Sequence, residues 1–294
     1  MIVSIPATSA NLGPGFDSLG LSLNFRNQFH ITPSKLTSIQ IVGEGEGMPK
    51  FLIDNMFVKI FKKTLLDFGI LEREFRFFFS NKIPISRGMG SSSAVIVGAI
   101  SAAYEVAGKK IDRESILNAA LNYESHPDNI TPAVYGGFNV AVVDYKKVYH
   151  LKQQIPDMFQ AVMVVPNRSI STKYSRQALP RKYSVAESVF NLSRASLMSL
   201  AFAQGKWEFL RLASKDRFHQ DRRMKQFPIL FGVQKIALEN GALMSTLSGS
   251  GSSFFNMCYR DDAQKLAAIF TKKFSNFRVF VLDFDNDGIV FEQE

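Results

Sequence analysis

The chain has 294 residues, of which 46% are apolar and 21% are charged, a balance typical of a globular protein with a sizeable core. Its single cysteine, Cys258, excludes an internal disulfide and a cysteine-rich zinc site, and we expect a reducing, cytoplasmic setting. The net charge of +9 is compatible with nucleic acid or with small anionic substrates.

Neither a secretion signal nor a membrane anchor is expected. Residues 1–6 lack a basic region followed by an apolar stretch. The apolar helix pattern at about 94–107 is shorter than the roughly 20 residues that span a bilayer. A basic cluster at 211–225 has no accompanying nucleic-acid motif. We therefore expect no membrane and no nucleic-acid partner.

Strand-like and helix-like patterns alternate through the first half of the chain. Strands are predicted at 1–8, 39–42, 74–80, 136–143 and 148–151, and the last two are joined by a hairpin turn at 145–147. Helices are predicted at 51–68, 94–107 and 113–123.

The pattern restarts after Pro156. Strands are predicted at 160–165, 242–247, 253–259 and 279–284. Helices are predicted at 172–179, 185–203, 207–214, 229–240 and 261–273. The sequence therefore predicts an α+β protein of two layered domains, residues 1–155 and residues 156–294.

The turn between the strand at 74–80 and the following helix is the most informative stretch of the chain. It reads Pro84-Ile85-Ser86-Arg87-Gly88-Met89-Gly90-Ser91-Ser92-Ser93-Ala94. A glycine- and serine-rich turn at a helix start aims several unpaired N–H groups and the positive end of the helix dipole at one point. This arrangement favours phosphate binding, although an ordinary capped helix start would have a similar sequence.

Two further turns are rich in glycine. One lies at 6–20 and contains Asn11 and Asp17, side chains that can bind a polar ligand or cap their own backbone. The other, at 247–253, separates two predicted strands, and its glycines could simply form a tight hairpin turn with no role in binding. Neither turn, nor the one at 84–94, contains a Walker-type lysine motif or a complete G-x-G-x-x-G, so P-loop and Rossmann sites are poorly supported.

Together the three turns resemble the GHMP kinase family of small-molecule kinases. Within that family, residues 6–17 resemble the branch that phosphorylates L-homoserine, rather than those for galactose, mevalonate or phosphomevalonate. The same branch is indicated by 126–133 (HPDNITPA), by Gly136-Gly137, and by Pro166-Asn167 followed by Ser171, Thr172 and Arg176.

The resemblance implies a two-domain GHMP kinase fold, with a ribosomal protein S5 domain 2-like N-terminal domain and a ferredoxin-like α/β C-terminal domain. It also implies transfer of the ATP γ-phosphate to the hydroxyl of L-homoserine, giving O-phospho-L-homoserine in threonine biosynthesis. ATP and Mg²⁺ would be required. A homodimer is compatible with this assignment, and the sequence leaves the oligomeric state open.

The resemblance also assigns roles to individual residues. Residues 84–94 would wrap the ATP phosphates, and Asn55 is a candidate for the adenine pocket. Ser92 would bind Mg²⁺, with Ser91 as the alternative, and Glu124 would be the second ligand unless Asn122 occupies that position. The residues expected around the amino acid are Asn11, Asp17, His126, Asn129, Thr172, Arg176 and Arg223.

Side-chain chemistry agrees with these roles. Arg176 and Arg223 could each hold a carboxylate through two charge-assisted hydrogen bonds, although solvated helix faces would also explain them. Asp17 could hold the ammonium group. Asn129 could orient the reacting hydroxyl, and since an amide is not a useful proton acceptor, we predict no dedicated side-chain base. His126 is expected to be a hydrogen-bonding group of the substrate pocket rather than the base. Ser92, Asn129 and Arg176 are the predicted catalytic residues.

Two other functions remain open from the sequence. The chain could phosphorylate a different small alcohol, or it could be a non-catalytic ATP-binding sensor with the same fold.

Overall fold

The computed structural model describes residues 1–70, 73–170, 172–177 and 179–292, and within 172–174 it describes the backbone only. Its strands form two sheets, one built mainly from the first half of the chain and one from the second. The predicted α+β class, with two layered units, is confirmed. Among the described helices, none combines the length and apolarity needed to cross a bilayer.

In the described residues the first sheet has seven strands. Their bounds are β1 Ile2–Ala10, β2 Leu19–Ser34, β3 Ser38–Gly43, β4 Glu74–Asn81, β5 Phe138–Asp144, β6 Lys147–Gln153 and β11 Val290–Glu292. The order is β11-β1-β2-β4-β3. Strand β5 pairs with the first residues of β2, Leu19–Leu21, and forms a hairpin with β6. Strands β3 and β4 are parallel, whereas the other pairs are antiparallel.

Helices cover one face of this sheet. They are α1 Pro49–Ile53, α2 Met56–Asp67, α3 Ser91–Val106, α4 Arg113–Ala120 and α5 Pro127–Tyr135. The small side chains of α3 allow close packing, since a Cβ on Gly98 would lie 2.5 Å from the ring of Phe29. Phenylalanines fill the space between α2 and the sheet; Phe57, for example, lies 4.7 Å from Phe29 and 4.9 Å from Phe79 between ring centroids. This aromatic layer fixes α2 and α3 side by side on the sheet.

The second sheet consists of β7 Phe159–Val165, β8 Met244–Leu247, β9 Phe254–Tyr259 and β10 Arg278–Leu282, in the antiparallel order β10-β7-β9-β8. The helices of this half are α6 Thr172–Gln177, α7 Val185–Gln204, α8 Leu210–Ala213, α9 Gln220–Met224, α10 Ile229–Glu239 and α11 Arg260–Lys273. Helices α10 and α11 bury Leu230, Val233, Leu266 and Phe270 in this half's core.

The division at residue 155 stays a prediction, but one part of it needs correction. The end of the chain returns to the first sheet, because β11 pairs with β1 and Phe284 forms a β-bridge with Leu23. Residues 284–292 therefore belong structurally with the first half rather than with 156–294.

Several predicted elements also differ in extent. The predicted helix at 51–68 is two helices, α1 and α2, and the one at 207–214 is a 3-10 turn at Trp207–Phe209 followed by α8. The sequence prediction missed β2, α5, α9 and β11. Strand β2 nevertheless carries a clear signal, since Leu21, Leu23, Phe29 and Ile31 alternate with more polar residues and are buried.

Candidate active site

The glycine-rich turn at 84–90 is held tightly where it meets α3. Gly90 is the N-cap of α3 and lies in the left-handed region at φ +70°, and a Cβ there would lie 1.9 Å from Thr8 Oγ1. Gly88, at φ +76°, would bring a Cβ to 2.1 Å from the Ser248 carbonyl oxygen. The backbone of Thr8 donates to the Met89 carbonyl at 3.1 Å. Only glycine fits both positions, so the turn and the start of α3 are rigidly placed.

The three glycine-rich turns of the sequence meet at this point. Ser248 Oγ lies 2.6 Å from the Gly88 carbonyl oxygen, to which it donates, and 2.8 Å from Ser9 Oγ. Gly249 N donates to the Ala10 carbonyl at 3.1 Å. The turn at 247–253, which joins β8 and β9, therefore packs between the other two.

A cleft of about 540 Å³ opens beside these turns. One end is apolar and includes Phe29, Ile41, Phe51 and Phe79. The turn lines the middle through residues 84–93, whereas Ala94 is buried in the core. The predicted residues that line the cleft outside the turn are Asn11, Asp17, Asn55, Glu124, His126, Asn129, Arg176 and Arg223. The side chain of Thr172 lies outside the described part of the chain.

Asp17 and Arg176 form an ion pair at the polar end, with 2.6 Å between Asp17 Oδ1 and Arg176 Nη2. Asn11 holds the backbone of Asp17 in place through a hydrogen bond. Its Oδ1 accepts from Asp17 N at 3.0 Å and its Nδ2 donates to the Gly249 carbonyl at 3.0 Å. Both ends of the Asn11 amide are thus used within the protein, which suits a residue that shapes the Asp17 loop.

Arg223 is the second arginine of the polar end, and it is 3% exposed. Its Nη1 donates to the Gly249 carbonyl at 3.0 Å, and no carboxylate forms a salt bridge with it in the described part of the chain. Burial, followed by the charge of Arg176, lowers the pKa of Arg223 to about 10. The ring of Phe16 lies 5.2 Å from Arg176 Cζ and 5.3 Å from Arg223 Cζ, so both guanidinium groups pack against the same aromatic ring.

His126 lies between two carboxylates. Its Nδ1 is 3.2 Å from Glu124 Oε1, and its Nε2 is 3.9 Å from Asp17 Oδ2. The hydrogen bond with Glu124 raises the pKa of His126, although burial opposes the rise. The imidazole therefore connects the predicted metal carboxylate with the predicted ammonium site.

Asn129 is oriented by a neighbour that the sequence reasoning did not single out. Thr8 Oγ1 donates to Asn129 Oδ1 at 2.7 Å, and Asn129 Nδ2 faces Asp128 Oδ1 at 3.5 Å. Asp128 is 5% exposed, and burial, followed by the charge of Asp17, raises its pKa to about 7. Thr8 and Asp128 both lie inside motifs quoted from the sequence, so the motifs, though not the roles, were visible.

The predicted metal ligands are compatible with Mg²⁺. Ser92, at the start of α3, and Glu124 both line the cleft, whereas Asn122 is exposed and donates to the Ala119 carbonyl. Hydroxyl and carboxylate oxygens are ligands that Mg²⁺ accepts, and it normally takes its remaining ligands from water and phosphates. Of the two candidates for the second ligand, the geometry favours Glu124. Ser91 also lines the cleft and remains the alternative to Ser92.

Asn55 is used differently from what a base-binding residue would need. It is the N-cap of α2, with Oδ1 accepting from Val58 N at 3.2 Å and Nδ2 donating to the Phe51 carbonyl at 2.9 Å. At the same end of the cleft, Asn27 Nδ2 and Asn81 Oδ1 have no hydrogen-bond partner in the described structure. These two amides are additional candidates that sequence reasoning missed.

Comparison with known proteins shows which family the chain belongs to. The N-terminal domain model of the GHMP kinases matches residues 55–137, and the C-terminal domain model matches residues 201–276. The chain therefore belongs to the GHMP kinase family.

Relatives within the family are more specific. A homoserine kinase of Helicobacter pylori is 63% identical over 294 residues, which is 100% of both chains. A homoserine kinase of Helicobacter hepaticus is 59% identical over 293 residues, with 98% of each chain covered.

Solved structures agree. The crystal structure of homoserine kinase from Cytophaga hutchinsonii has a TM-score of 0.87 and 26% identity, covering 99% of this chain and 96% of that one. A mevalonate kinase structure at 15% identity, with a TM-score of 0.73, shares the fold. The family resemblance inferred from the motifs is confirmed.

Proposed function

We propose that this protein is an ATP-dependent homoserine kinase, which transfers the ATP γ-phosphate to the hydroxyl of L-homoserine to give O-phospho-L-homoserine in threonine biosynthesis. The full-length relatives support this function. The observation that carries it is one continuous cleft in which the glycine-rich start of a helix, suited to phosphate, faces a polar end that contains Asp17, Arg176 and Arg223.

ATP is proposed to lie along the cleft with its phosphates at the start of α3. The amide groups around Gly88 to Ser93 and the helix dipole would stabilise the charge of the transferring group. The apolar end, with Phe29, Ile41 and Phe79, suits a nucleobase, and Asn27 or Asn81 could provide polar contacts to it.

Ser92 and Glu124 are proposed to hold Mg²⁺. When bound, the ion would neutralise charge on the β- and γ-phosphates. The hydrogen bond from His126 would keep the Glu124 carboxylate turned toward the cleft.

L-Homoserine is proposed to occupy the polar end. Asp17 would bind the ammonium group, and Arg223 with Arg176 would bind the carboxylate. Charge-assisted hydrogen bonds of this kind each contribute roughly 1.5–3 kcal/mol. Arg223 is the stronger of the two candidates, because it is buried and has no carboxylate partner in the described residues, whereas Arg176 is already paired with Asp17.

The acceptor hydroxyl is proposed to be oriented by Asn129 Nδ2. No side-chain base is required, and the hydroxyl proton would pass to the phosphate or to water, because positioning and charge stabilisation supply most of the rate in phosphoryl transfer. Asp128 is the carboxylate beside Asn129. A loss of about 10³-fold or more in kcat for Asp128→Asn would contradict a mechanism without a base.

A coupled assay with ATP and Mg²⁺ tests the function. L-Homoserine should be turned over far better than mevalonate, shikimate or galactose, and the product should contain one phosphomonoester by ³¹P NMR. A preference for another alcohol would show that this alcohol, rather than L-homoserine, is the substrate. ATP binding without turnover of any of these compounds would favour the non-catalytic sensor.

We also propose that the protein acts in the cytoplasm, where ATP is available and Cys258 stays reduced. The absence of nucleic-acid and membrane partners, and a homodimeric state, remain predictions. Salt-dependent binding to DNA or RNA would contradict the first of them.

A further inference from the structure

His219 has no role in the mechanism above, yet its ring is completely buried beside the polar end of the cleft. Its Nε2 lies 2.8 Å from the Gly13 carbonyl oxygen, and its Nδ1 lies 3.1 Å from Arg223 Nη1. A carbonyl oxygen only accepts and a guanidinium group only donates. One neutral tautomer, with the proton on Nε2, therefore satisfies both contacts.

The backbone around His219 is fixed by a single carboxylate. Asp216 accepts hydrogen bonds from the backbone N–H groups of Phe218, His219 and Gln220 at 3.0, 2.8 and 2.7 Å. It also accepts from Asn191 Nδ2 at 2.6 Å. The turn that begins α9 is thus held in place, and the His219 ring has little freedom to move.

These contacts determine which part of Arg223 is available to a ligand. Arg223 Nη1 is directed to His219 and to the Gly249 carbonyl, and the ring of Phe16 lies against the guanidinium group and 5.2 Å from the His219 ring. The side-chain hydrogen bonds of Arg223 in the described residues all use Nη1, and its Nε has no hydrogen-bond partner there. The remaining edge of the guanidinium group is left for an anion.

We propose that His219 is a positioning residue for substrate selection, which orients Arg223 toward the carboxylate of the amino-acid substrate. Through its contact with Gly13, it also links α9 to the glycine-rich turn at 6–20. This inference rests on the proposed function, in which Arg223 binds that carboxylate. Because Gly13 belongs to the first half of the chain and Arg223 to the second, the imidazole aligns two parts of the site that come from distant sequence.

Two variants separate the contacts of the imidazole. His219→Gln can still donate to the Gly13 carbonyl through its amide nitrogen but offers no acceptor near Arg223 Nη1. His219→Asn can offer its amide oxygen in place of Nδ1 but is too short to reach Gly13. If orientation of Arg223 is the function of His219, the glutamine variant should raise KM for L-homoserine by about tenfold, with KM for ATP within about twofold. The asparagine variant should raise it less.

A purely structural role for His219 gives a different result. Both variants would then lose thermal stability, and any loss of activity would affect kcat and both KM values alike. Equal effects of the two variants on KM for L-homoserine would overturn the inference.

A substrate analogue without the carboxylate completes the test. 2-Amino-1,4-butanediol retains the ammonium group and the acceptor hydroxyl, and the ratio of kcat/KM for L-homoserine to that for the diol measures recognition of the carboxylate. We expect this ratio to fall strongly in Arg223→Ala and by about tenfold in His219→Gln.

The possible failures are distinguishable. A ratio that falls in Arg223→Ala but not in His219→Gln overturns the role of His219 alone. An unchanged ratio in Arg223→Ala removes Arg223 from carboxylate binding, and the inference falls with it. Wild-type protein that phosphorylates neither compound overturns the proposed function itself.

Discussion

Asn129 depends on Thr8 for its orientation, and this dependence connects two parts of the site. Thr8 is completely buried; its hydroxyl donates to the Asn129 amide oxygen, and its backbone N–H donates to the Met89 carbonyl in the glycine-rich turn. With the amide oxygen engaged and a carboxylate oxygen of Asp128 on the other side, the amide nitrogen is the group that a substrate hydroxyl would meet. Thr8 of β1 thus holds both the glycine-rich turn at 84–90 and the residue proposed to orient the acceptor.

The substitution Thr8→Val tests this role, because it removes the hydroxyl while nearly keeping the shape. The buried amide oxygen of Asn129 would lose its donor, at a cost of about 1–3 kcal/mol, or the amide would reorient. We expect kcat to fall by about tenfold or more while KM for ATP changes little. Steady-state kinetics with both substrates varied provides the measurement.

Thr8→Ser is the matched control, since it keeps the hydroxyl and loses only a methyl group. It should retain most of the activity that valine loses. If serine and valine are equally impaired, packing of the methyl group rather than orientation of Asn129 explains the importance of Thr8.

At the scale of elements, the two ends of α3 allow a direct comparison between a glycine in the proposed ATP site, Gly90, and one outside it, Gly108. Gly90 precedes the helix, with Thr8 in the space that a Cβ would need. Gly108 follows the helix at φ +62° and has no atom within 4 Å of the position of a Cβ. Both glycines lie in the left-handed region, so alanine pays a similar conformational cost at each, roughly 1–2 kcal/mol.

We predict that Gly90→Ala raises the Kd for ATP by about tenfold or more, because the turn must move away from Thr8 and its N–H groups then no longer converge. Gly108→Ala should lose a similar amount of conformational stability but bind ATP normally. Isothermal titration calorimetry, together with urea denaturation, checks both variants. Normal ATP affinity in Gly90→Ala would show that the phosphates lie elsewhere.

The sequence predicts the helices and strands of the fold better than it predicts the side-chain contacts of the candidate site. The helix start after the glycine-rich turn at 84–90 was predictable from local sequence, because glycine and serine are typical of such a position, whereas its role in phosphate binding stays a prediction. Helix α5 was not predicted, although Pro127 at the helix start and the burial of Ile130 and Val134 are typical of a short helix. The contact between His219 and Arg223 has local spacing, but its third partner, Gly13, is 206 residues away in sequence. Such pairings require the fold.

At the scale of the whole molecule, the return of the chain to the first sheet joins its two halves. Asp285 pairs with Arg26, and its backbone N–H donates to the Ser22 carbonyl at 3.1 Å. Asn286 receives a hydrogen bond from Ile155 N at 3.0 Å and donates to the Ile155 carbonyl at 2.9 Å. The predicted boundary residue is therefore held by the end of the chain. Phe138 of β5 also stacks on Phe202 of α7, with 4.0 Å between centroids.

Stability of the whole molecule should also reflect the buried carboxyl group of Asp128. Its pKa in the folded protein is raised to about 7 from the ordinary value of 3.8, mainly by burial. A raised value means that the folded state holds a proton that the unfolded state has released. The contribution to stability is therefore complete below about pH 4 and is lost as the pH rises through about 7.

Asp128→Asn removes this titration, because an amide does not ionise in that range. Relative to wild type, the variant should gain stability between pH 4 and pH 8, by at most about 4 kcal/mol for a shift of this size. Urea denaturation of both proteins at pH 4.5 and at pH 8 gives the difference directly, and the lower pH serves as the internal control for lost hydrogen bonds and packing. A stability difference that is the same at the two pH values would show that folding does not raise the pKa of Asp128, and that the nearby charges of His126 and Arg176 offset the effect of burial.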